Sequence, residues 1–448
     1  MVSFSKHPRG KRQNFSLSLS TRSILVYLPI FLFCYVATIL SLVSIRENSN
    51  GKSDTNGAST DTLQLRAYNS RQQSLTEQDV RGDDTPTIGV ASTVTGCGES
   101  PFQDGAAVLK YSLDRHSAAN GNGRYNYQTY IFYHPNATSC VLPLQALGFT
   151  LIKRATPIRV EEIQGEELRE RIVKNGCCGE KELIKLEAYR LVQHPLVIHV
   201  DLDVLILKPM DDVIDFMLHP TTRRYNLQKV PLMWPEKPIP NDIQLLFTKD
   251  YNMVGPKRRD KPFQGGFFII KPSLEVYDEF IRIVKEGDYH VKGGWGKKVG
   301  PFYGGMTIQG LLPYFYEHLH PGHAVELNRC IYNNMNDNPF MERKNGEKRC
   351  RTDQESCEDC RFRPKEDVVT FHFTICQKPW SCLSFRSQQD KFKLCREMNH
   401  EWFTYRSKLE QTWGRSGFGP GEFKPNHYLG YCSDRGTVGY LPIALPYG

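Results

Sequence analysis

Two carboxylates follow a buried-looking apolar run near the middle of the chain. The stretch PLVIHVDLDVLILKPMDD begins at Pro195, and Asp201 and Asp203 come directly after its segment LVIHV. A buried carboxylate is costly unless a positive charge pairs with it. In an extended backbone this i, i+2 spacing points both side chains the same way, and two such carboxylates can hold a hard divalent cation that neutralises a diphosphate. The stretch therefore indicates a metal site; the alternative is that one aspartate only caps the next turn.

Strands and helices alternate before this pair. We expect strands in TIGVASTV, YNYQTYIFYH and FTLIKRA and a helix in FQDGAAVLKYSLDRHS. We also expect a helix in EKELIKLEAYRLVQH, with Ile184, Ala188, Leu191 and Val192 on one face. This order favours an α/β fold with a parallel sheet covered by helices. Ligands of open α/β sheets bind at the carboxyl ends of the strands, which is where Asp201 and Asp203 stand.

The composition limits the classes of protein to which the chain can belong. The chain has 448 residues, of which 40% are hydrophobic and 24% charged, so it can bury a sizeable core and is not a disordered scaffold. The net charge is +8, but no lysine and arginine run resembles a nucleic-acid-binding arm. We therefore expect no nucleic-acid partner.

The amino-terminal segment has the pattern of a membrane anchor. Residues 1–22 carry basic but no acidic side chains, and residues 23–45 carry no charge. At about 1.5 Å per residue the uncharged run can cross a bilayer, and the basic flank stays in the cytoplasm. This predicts a cytoplasmic tail (1–22) and a type II signal anchor (23–45); the alternative is a cleaved signal peptide. The polar residues 46–86 are predicted to form a disordered stem.

Cysteine usage agrees with a body in an oxidising compartment. Of the 13 cysteines, Cys34 lies in the apolar run, and we expect the other twelve to form disulfides. The cluster CRTDQESCEDC contains a C-x-x-C, so a zinc site there is the alternative. Asn136 begins an Asn-Ala-Thr sequon that can be glycosylated only if this side is lumenal.

Together these features resemble a Golgi glycosyltransferase of the GT-A fold. More narrowly, residues 87–380 resemble glycosyltransferase family 8, the retaining family that includes glycogenin. The resemblance rests on five blocks in the same order: GAAVLKYSL, KLEAYRLVQHPLVIHVDLDVLILKPMDDVIDF, FQGGFFIIKPSLEVYDEF, IQGLLPYFY and VVTFHFTICQKPW. It implies a mixed, Rossmann-like sheet with flanking helices in a catalytic domain over residues 87–385, followed by an extension over 386–448.

The resemblance also implies a ligand set for the metal. Asp201, Asp203 and His372 match the three metal ligands of the family, and imidazole suits manganese better than magnesium, which is the alternative ion. His372 could instead be a satisfied core histidine at a strand end. Asp203 and Gln309 are the implied catalytic residues, and Gln309 would brace the sugar.

The remaining implied roles concern the donor and the acceptor. Lys185 and Lys378 would contact the donor phosphates, although each could also be a solvated surface lysine. The residues implied for the substrate pocket are Val90, Ala91, Ser92, Thr93 and Phe102 around uracil and ribose, and Gln264, Gly265 and Gly266 on the acceptor side. Phe102 could equally be a core residue.

Two departures from the family pattern bear on activity. Ile308 replaces the aspartate of the family's Asp-Gln-Gly, and FQGGFF replaces a segment in which the family has asparagine or serine. Family 8 transfer is drawn as front-face attack in which the leaving diphosphate accepts the acceptor's proton, so loss of one carboxylate need not abolish activity. The alternative is a catalytically inactive relative that binds a sugar nucleotide or a glycan.

The resemblance implies a metal-dependent retaining hexosyltransferase. Its donor would be a nucleotide sugar, for which a UDP-sugar is expected, and its acceptor a glycan, protein or lipid of the secretory pathway. The chain would be a single-pass Golgi membrane protein with a lumenal catalytic domain. The glycine-rich segment 291–305 is either a mobile lid or a plain surface loop. The segment DKFKLCREMNHEWFTYRSKLEQTW is expected to be helical, and Cys395 and Cys432 to join the extension to the body.

Overall fold

A seven-stranded mixed sheet forms the centre of the computed structural model, which describes residues 85–98, 101–221, 228–254, 260–342, 345–383, 388–420 and 427–446. The strands of the chain, numbered in order, are β1 (Thr87–Val94), β2 (Asn126–Tyr133), β3 (Thr150–Lys153), β4 (Val197–Val200), β5 (Val204–Ile206), β6 (Leu245–Lys249), β7 (Phe263–Ile270), β8 (Tyr289–His290), β9 (Gly294–Trp295), β10 (Ala324–Glu326), β11 (Phe340–Glu342), β12 (Lys348–Cys350) and β13 (Thr370–His372).

The sheet order is β10-β6-β7-β4-β1-β2-β3. Strands β3, β2, β1 and β4 run parallel, whereas β7 is antiparallel to both β4 and β6. The mixed sheet that the resemblance implied is therefore confirmed, and the parallel order that the alternating elements favoured holds for β1 to β4 of this sheet but not for β7. Every residue of β7 is buried, as a strand in the middle of a two-layered core requires.

Seven α-helices flank the sheets in the described part of the chain: α1 (Phe102–Arg115), α2 (Thr138–Val141), α3 (Glu166–Arg171), α4 (Asp211–Leu218), α5 (Leu274–Glu286), α6 (Ile308–Pro313) and α7 (Lys393–Thr412). Helices α1 and α7 confirm the predictions for their segments. The helix predicted between residues 180 and 194 is instead a 3₁₀ helix over Gly179–Arg190. It ends before Val192, whose side chain is exposed, so the expectation that Val192 shares a helical face with Ile184 and Ala188 is wrong.

Two apolar cores lie against the sheet. Ile198 and Phe267 belong to one core, whereas Val197 and Phe268 belong to the other, because successive strand residues point to opposite faces. Trp295, in the glycine-rich segment, is fully buried in the second core, and its Nε1 donates to the carbonyl of Gly305. This part of the segment is thus a packed structural element.

A third core joins the carboxyl-terminal extension to the body. Trp402 and Phe403 of α7 pack there with Val108 of α1 and Trp380. The described part of the chain contains five disulfides: Cys97–Cys140, Cys330–Cys360, Cys350–Cys357, Cys376–Cys395 and Cys382–Cys432. The last two attach the extension to the body, as predicted.

The disulfides also settle the alternative zinc site. All three cysteines of CRTDQESCEDC are in disulfides, so that cluster has no thiolates for zinc. Ten of the twelve cysteines expected to pair are in these disulfides, whereas Cys177 and Cys178 are not joined in the structure.

Among the described residues, no helix combines the length and the apolar character that a membrane crossing requires. The predicted tail, anchor and nearly all of the predicted stem lie outside the described residues.

Candidate functional site

Asp201 and Asp203 lie in the turn that joins β4 to β5. The N–H of Val204 donates to the carbonyl of Asp201 over 3.1 Å, so the backbone is not extended between the two aspartates. The N–H of Asp201 donates to the carbonyl of Gly266 in β7, and the carbonyl of Asp203 accepts from the N–H of Phe373. Neighbouring strands therefore fix the turn from both sides.

His372 completes a cluster with the two aspartates. Strand β13 pairs with β5 in antiparallel register, which sets His372 opposite Val204. One potential ligand atom from each of Asp201, Asp203 and His372 lies within 4.8 Å of the others. The Nε2 of His372 is 3.3 Å from the Oδ1 of Asp203. The structure thus brings together the three residues that the resemblance implied as metal ligands.

Lys185 contacts the cluster through Asp201. It is buried, and its Nζ lies 2.9 Å from the Oδ1 of Asp201, 3.0 Å from the carbonyl of Gly265 and 3.3 Å from the Oε2 of Glu182. Burial alone would raise the pKa of Asp201, but the nearby charges, that of Lys185 first among them, and the hydrogen bond from Lys185 together outweigh burial and lower that pKa to about 2. Asp201 therefore stays ionised at neutral pH.

Lys378 and His372 differ in charge. Lys378 Nζ contacts the Oδ2 of Asp203, and burial lowers the pKa of this lysine to about 8. Burial also lowers the pKa of His372 to about 4. The imidazole is thus neutral near pH 7, which is the form that binds metals.

The residues present fit a divalent cation. Gly266 faces the cluster, and a Cβ at this position would lie 2.6 Å from the Oδ2 of Asp201 and 2.4 Å from the Cε1 of His372. Glycine thus keeps open a space lined by two carboxylates and one imidazole. The carboxylates suit both manganese and magnesium, whereas the imidazole favours manganese.

A cavity of about 700 Å³ opens beside the cluster. Its wall includes Thr93, Thr95, Phe102, Cys177, Cys178, Glu182, Lys185, Asp201 and Asp203. Thr93 and Phe102, which the resemblance implied for the nucleoside pocket, lie in this wall. Val90, Ala91 and Ser92 are buried further back in β1, and the Ser92 hydroxyl donates to the carbonyl of Val200. Of β1, it is Thr93 and Val94 at the carboxyl end that line the cavity.

The predicted acceptor-side residues lie in β7, which contains Gln264, Gly265 and Gly266. Gln264 is buried, and its Oε1 accepts from the N–H of Gly266, so this side chain holds the strand. Gln309 is half-buried beside Gly265 and Gly304. Ile308, by contrast, is fully buried in the second core.

Sequence reasoning missed several residues at this site. The Oδ1 of Asn333 lies 3.0 Å from the Nδ1 of His372, and the Asn333 position could not be found without the fold because 39 residues separate the pair. Glu182, Cys177 and Cys178 form part of the cavity wall. The adjacent cysteines were a visible signal, but the sequence alone did not show where they lie.

Comparisons with known proteins bear on the fold only weakly. No protein-family model and no curated protein matches the chain. Among solved structures the chain is similar to the bifunctional glycosyltransferase WbbM (11% identity, TM-score 0.38, 83% of this chain and 64% of WbbM). It is also similar to mouse xyloside xylosyltransferase 1 (12%, 0.37, 65% and 99%) and to the galactosyltransferase LgtC (12%, 0.40, 70% and 94%).

The chain thus spans less than two thirds of the length of WbbM. All three of these structures are described as glycosyltransferases. Similarity this low does not assign the chain to a family.

Proposed function

We propose that the chain is a metal-dependent glycosyltransferase with a nucleotide-sugar donor. The observation that carries the proposal is the convergence of Asp201, Asp203 and His372, of which the two aspartates line the cavity, with Lys185 and Lys378 in contact with these aspartates. Such an arrangement suits a bound diphosphate, whose negative charge needs a cation and lysines nearby. The resemblance to glycosyltransferase family 8 supports the same function.

Each residue then has a role in binding. Asp201, Asp203 and His372 would hold manganese, with magnesium as the alternative; a divalent cation, when bound, neutralises charge that develops on the leaving diphosphate. Lys185 is buried and forms an ion pair with Asp201, so it positions that carboxylate. Lys378 contacts Asp203 and keeps 39% of its side chain exposed, so it is the lysine that can turn to the donor phosphate.

The transfer itself needs few further groups from the protein. In the front-face reaction that the resemblance implies, the acceptor hydroxyl attacks the anomeric carbon and the leaving diphosphate takes its proton. The amide of Gln309 orients the donor sugar on the acceptor side of the cluster. The sugar is a hexose, most simply from a UDP-sugar, and the acceptor is a glycan, protein or lipid.

Donor hydrolysis by the purified full chain tests this function. We expect release of UDP from one member of a panel of UDP- and GDP-sugars with manganese and none with chelator. Asp203→Asn should lose turnover. Glu286→Gln makes the same chemical change at an exposed carboxylate at the end of α5 and should keep it. Turnover that survives chelation or Asp203→Asn would contradict the proposal.

A binding protein without turnover is the second candidate, favoured by one observation. Ile308 occupies the position of the family's aspartate and is buried in an apolar core. If this candidate holds, UDP binds with manganese but no donor is hydrolysed, and glycan affinity survives Asp203→Asn. Calorimetry with UDP, manganese and candidate glycans distinguishes the two.

We also propose that residues 23–45 anchor the protein in the Golgi membrane with the body in the lumen. Support comes from the five disulfides and from the exposed side chain of Asn136 in its sequon. Protease protection of the body in sealed vesicles, and loss of a glycan in Asn136→Gln, would test this topology. Digestion of the body in intact vesicles would contradict it.

A further inference from the structure

Two adjacent cysteines in the cavity wall are not part of the five disulfides. Among the described residues, Cys177 and Cys178 are the cysteines without a disulfide partner. Their Sγ atoms are 2.6 Å apart, closer than two thiols pack without a bond. They lie in a turn between Gly176 and Gly179, whose φ angles are 63° and 61°. Because glycine adopts this left-handed backbone without strain, the sequence favours a turn that holds the two sulfurs together.

The pair is linked to the metal-site candidate by a short series of contacts. The Sγ of Cys177 lies 3.2 Å from the Oε1 of Glu182, and the other carboxylate oxygen of Glu182 is 3.3 Å from the Nζ of Lys185. Lys185 in turn contacts Asp201 over 2.9 Å. A change in the conformation of this turn is therefore transmitted to Asp201 through the side chains of Glu182 and Lys185.

The same turn also reaches the acceptor side. The N–H of Met306 donates to the Oδ1 of Asn175 over 3.1 Å, and a Cβ on Gly176 would lie 3.4 Å from the Cα of Gly304. Gly304 packs against the side chain of Gln309. The turn over residues 175–179 thus lies between the cavity and Gln309.

We propose that Cys177 and Cys178 form a vicinal disulfide in the cavity wall, and that this bond fixes the turn against which the donor docks. The docking half of the proposal rests on the proposed function. In the reaction, two thiols give two electrons and two protons to a disulfide oxidant of the glutathione type. One S–S bond forms in the protein, one breaks in the oxidant, and the oxidant leaves as two thiols.

Accessibility and context both suit this reaction. Cys177 is exposed, so an oxidant can reach it from the cavity. Ten other cysteines of the body are already in disulfides, so the fold as a whole is one that matures in contact with such an oxidant. A small ring closed between adjacent residues leaves the turn fewer conformations.

A metal site is the competing interpretation of the same side chains. Cys177, Cys178 and Glu182 offer ligand atoms within 4.8 Å of one another. However, two thiolates bound to one zinc at about 2.3 Å in tetrahedral geometry are further apart than these sulfurs. The observed separation therefore favours the disulfide.

Peptide mapping tests the bond without reference to any activity. Trypsin should release residues 175–181, NGCCGEK, a peptide with both cysteines and no others. Full-chain protein is treated with an alkylating agent during lysis and digested without reductant, and the Cys97–Cys140 pair serves as the oxidised reference. We expect a peptide with no alkyl group, lighter by two hydrogens than after reduction. Two alkyl groups, or a cross-link to another peptide, would overturn the disulfide.

Metal content tests the competing site in the same preparation. We expect no zinc that depends on Cys177 and Cys178. Stoichiometric zinc in the wild type that disappears in the Cys177→Ser, Cys178→Ser double variant would overturn the proposal.

Nucleotide binding tests the docking half. By calorimetry with UDP and manganese, we expect affinity about tenfold weaker in that double variant and in mildly reduced wild type, because a looser turn must be ordered on binding. Cys350→Ser, Cys357→Ser removes a disulfide with no residue in the catalytic or metal cluster and should bind as wild type. Unchanged affinity after loss of the vicinal bond would overturn the docking half. Absence of UDP binding to oxidised wild type would instead count against the proposed function.

Discussion

The Nδ1 of His372 lies 3.0 Å from the Oδ1 of Asn333, and this contact decides which ring nitrogen faces the carboxylates. The amide of Asn333 is itself oriented, because its Nδ2 donates to the hydroxyl of Thr248 over 2.9 Å. Nδ1–H of His372 therefore donates to Asn333, and Nε2 keeps its lone pair on the side of Asp203. An oriented partner of this kind raises the affinity of a histidine for its metal.

Removing this partner should weaken manganese binding. We expect Asn333→Gly to lower affinity by about 10- to 100-fold, because the ring loses its fixed orientation. Glycine is the proper truncation since Asn333 has a φ of 64°, a backbone that alanine would strain. Manganese titration monitored by electron paramagnetic resonance measures the change. Asn333→Asp keeps an acceptor oxygen and should recover much of the affinity; equal loss in both variants would contradict a role for the acceptor.

The space beside Gly266 gives a second prediction. Gly266→Ala should abolish manganese binding, because its Cβ would lie within 2.6 Å of both Asp201 and His372. Gly89→Ala is the matched control: it places a Cβ 2.8 Å from His194 in the same sheet, away from the cluster. Both variants should lose stability in thermal unfolding, whereas only Gly266→Ala should lose the stabilisation that manganese gives. Manganese stabilisation of Gly266→Ala would place the metal elsewhere.

Ile308 gives a third prediction because it departs from the family pattern. Restoring the family's carboxylate with Ile308→Asp should destabilise the protein by on the order of 3 kcal/mol, since the side chain is fully buried among apolar residues. We expect no gain in donor hydrolysis. Ile308→Leu, which keeps the apolar character, should cost less than about 1.5 kcal/mol and keep activity. Urea unfolding measures the effect on stability, and UDP release measures the effect on activity. If Ile308→Asp is as stable as wild type and hydrolyses the donor faster, the lack of a carboxylate at this position limits the activity of the natural chain.

The parts of the fold that the sequence predicted are those with a strong local pattern. The strand from Thr87 and the helix from Phe102 both begin and end close to their predicted bounds, because apolar periodicity determines them. The direction of β7 was not predictable in the same way, since the unbroken apolar run FFII is equally compatible with either direction. Pairing partners decide it, and they lie far along the chain.

The residues of the candidate site also differ in whether the local sequence pattern reveals them. Asp201 and Asp203 were visible from their position after an apolar run. His372 came only from a resemblance, since a lone histidine at a strand end carries no local signal. Asn333 was missed entirely, because its role depends on a side-chain contact between distant segments. Ser92 lies behind the cavity wall with its hydroxyl bonded to Val200, and strand position alone did not show which residues of β1 reach the end of the sheet.

A buried carboxylate in α1 should make stability depend on pH. The Oδ2 of Asp104 accepts from the hydroxyl of Tyr440 and from the N–H of Ile443, and so ties the carboxyl-terminal extension to the body. Burial raises the pKa of Asp104 to about 6, against 3.8 as its ordinary value. Because folding favours the protonated form, this group contributes most to stability below about pH 4, and the contribution falls as the pH rises towards 6.

The size of this effect can be measured against a variant that does not titrate. We expect the difference in free energy of unfolding between wild type and Asp104→Asn to be largest near pH 4 and to fall by roughly 3 kcal/mol by pH 7. Urea unfolding of both proteins across this range measures it, and the many other titrating groups cancel in the difference. Asp114→Asn, at a half-exposed carboxylate of the same helix that pairs with Lys110, is the matched control and should show little of this dependence. If the difference in free energy of unfolding does not change with pH, or rises with pH, Asp104 is ionised in the folded protein without an energetic penalty. Arg406, 4.0 Å away, would then stabilise the ionised carboxylate.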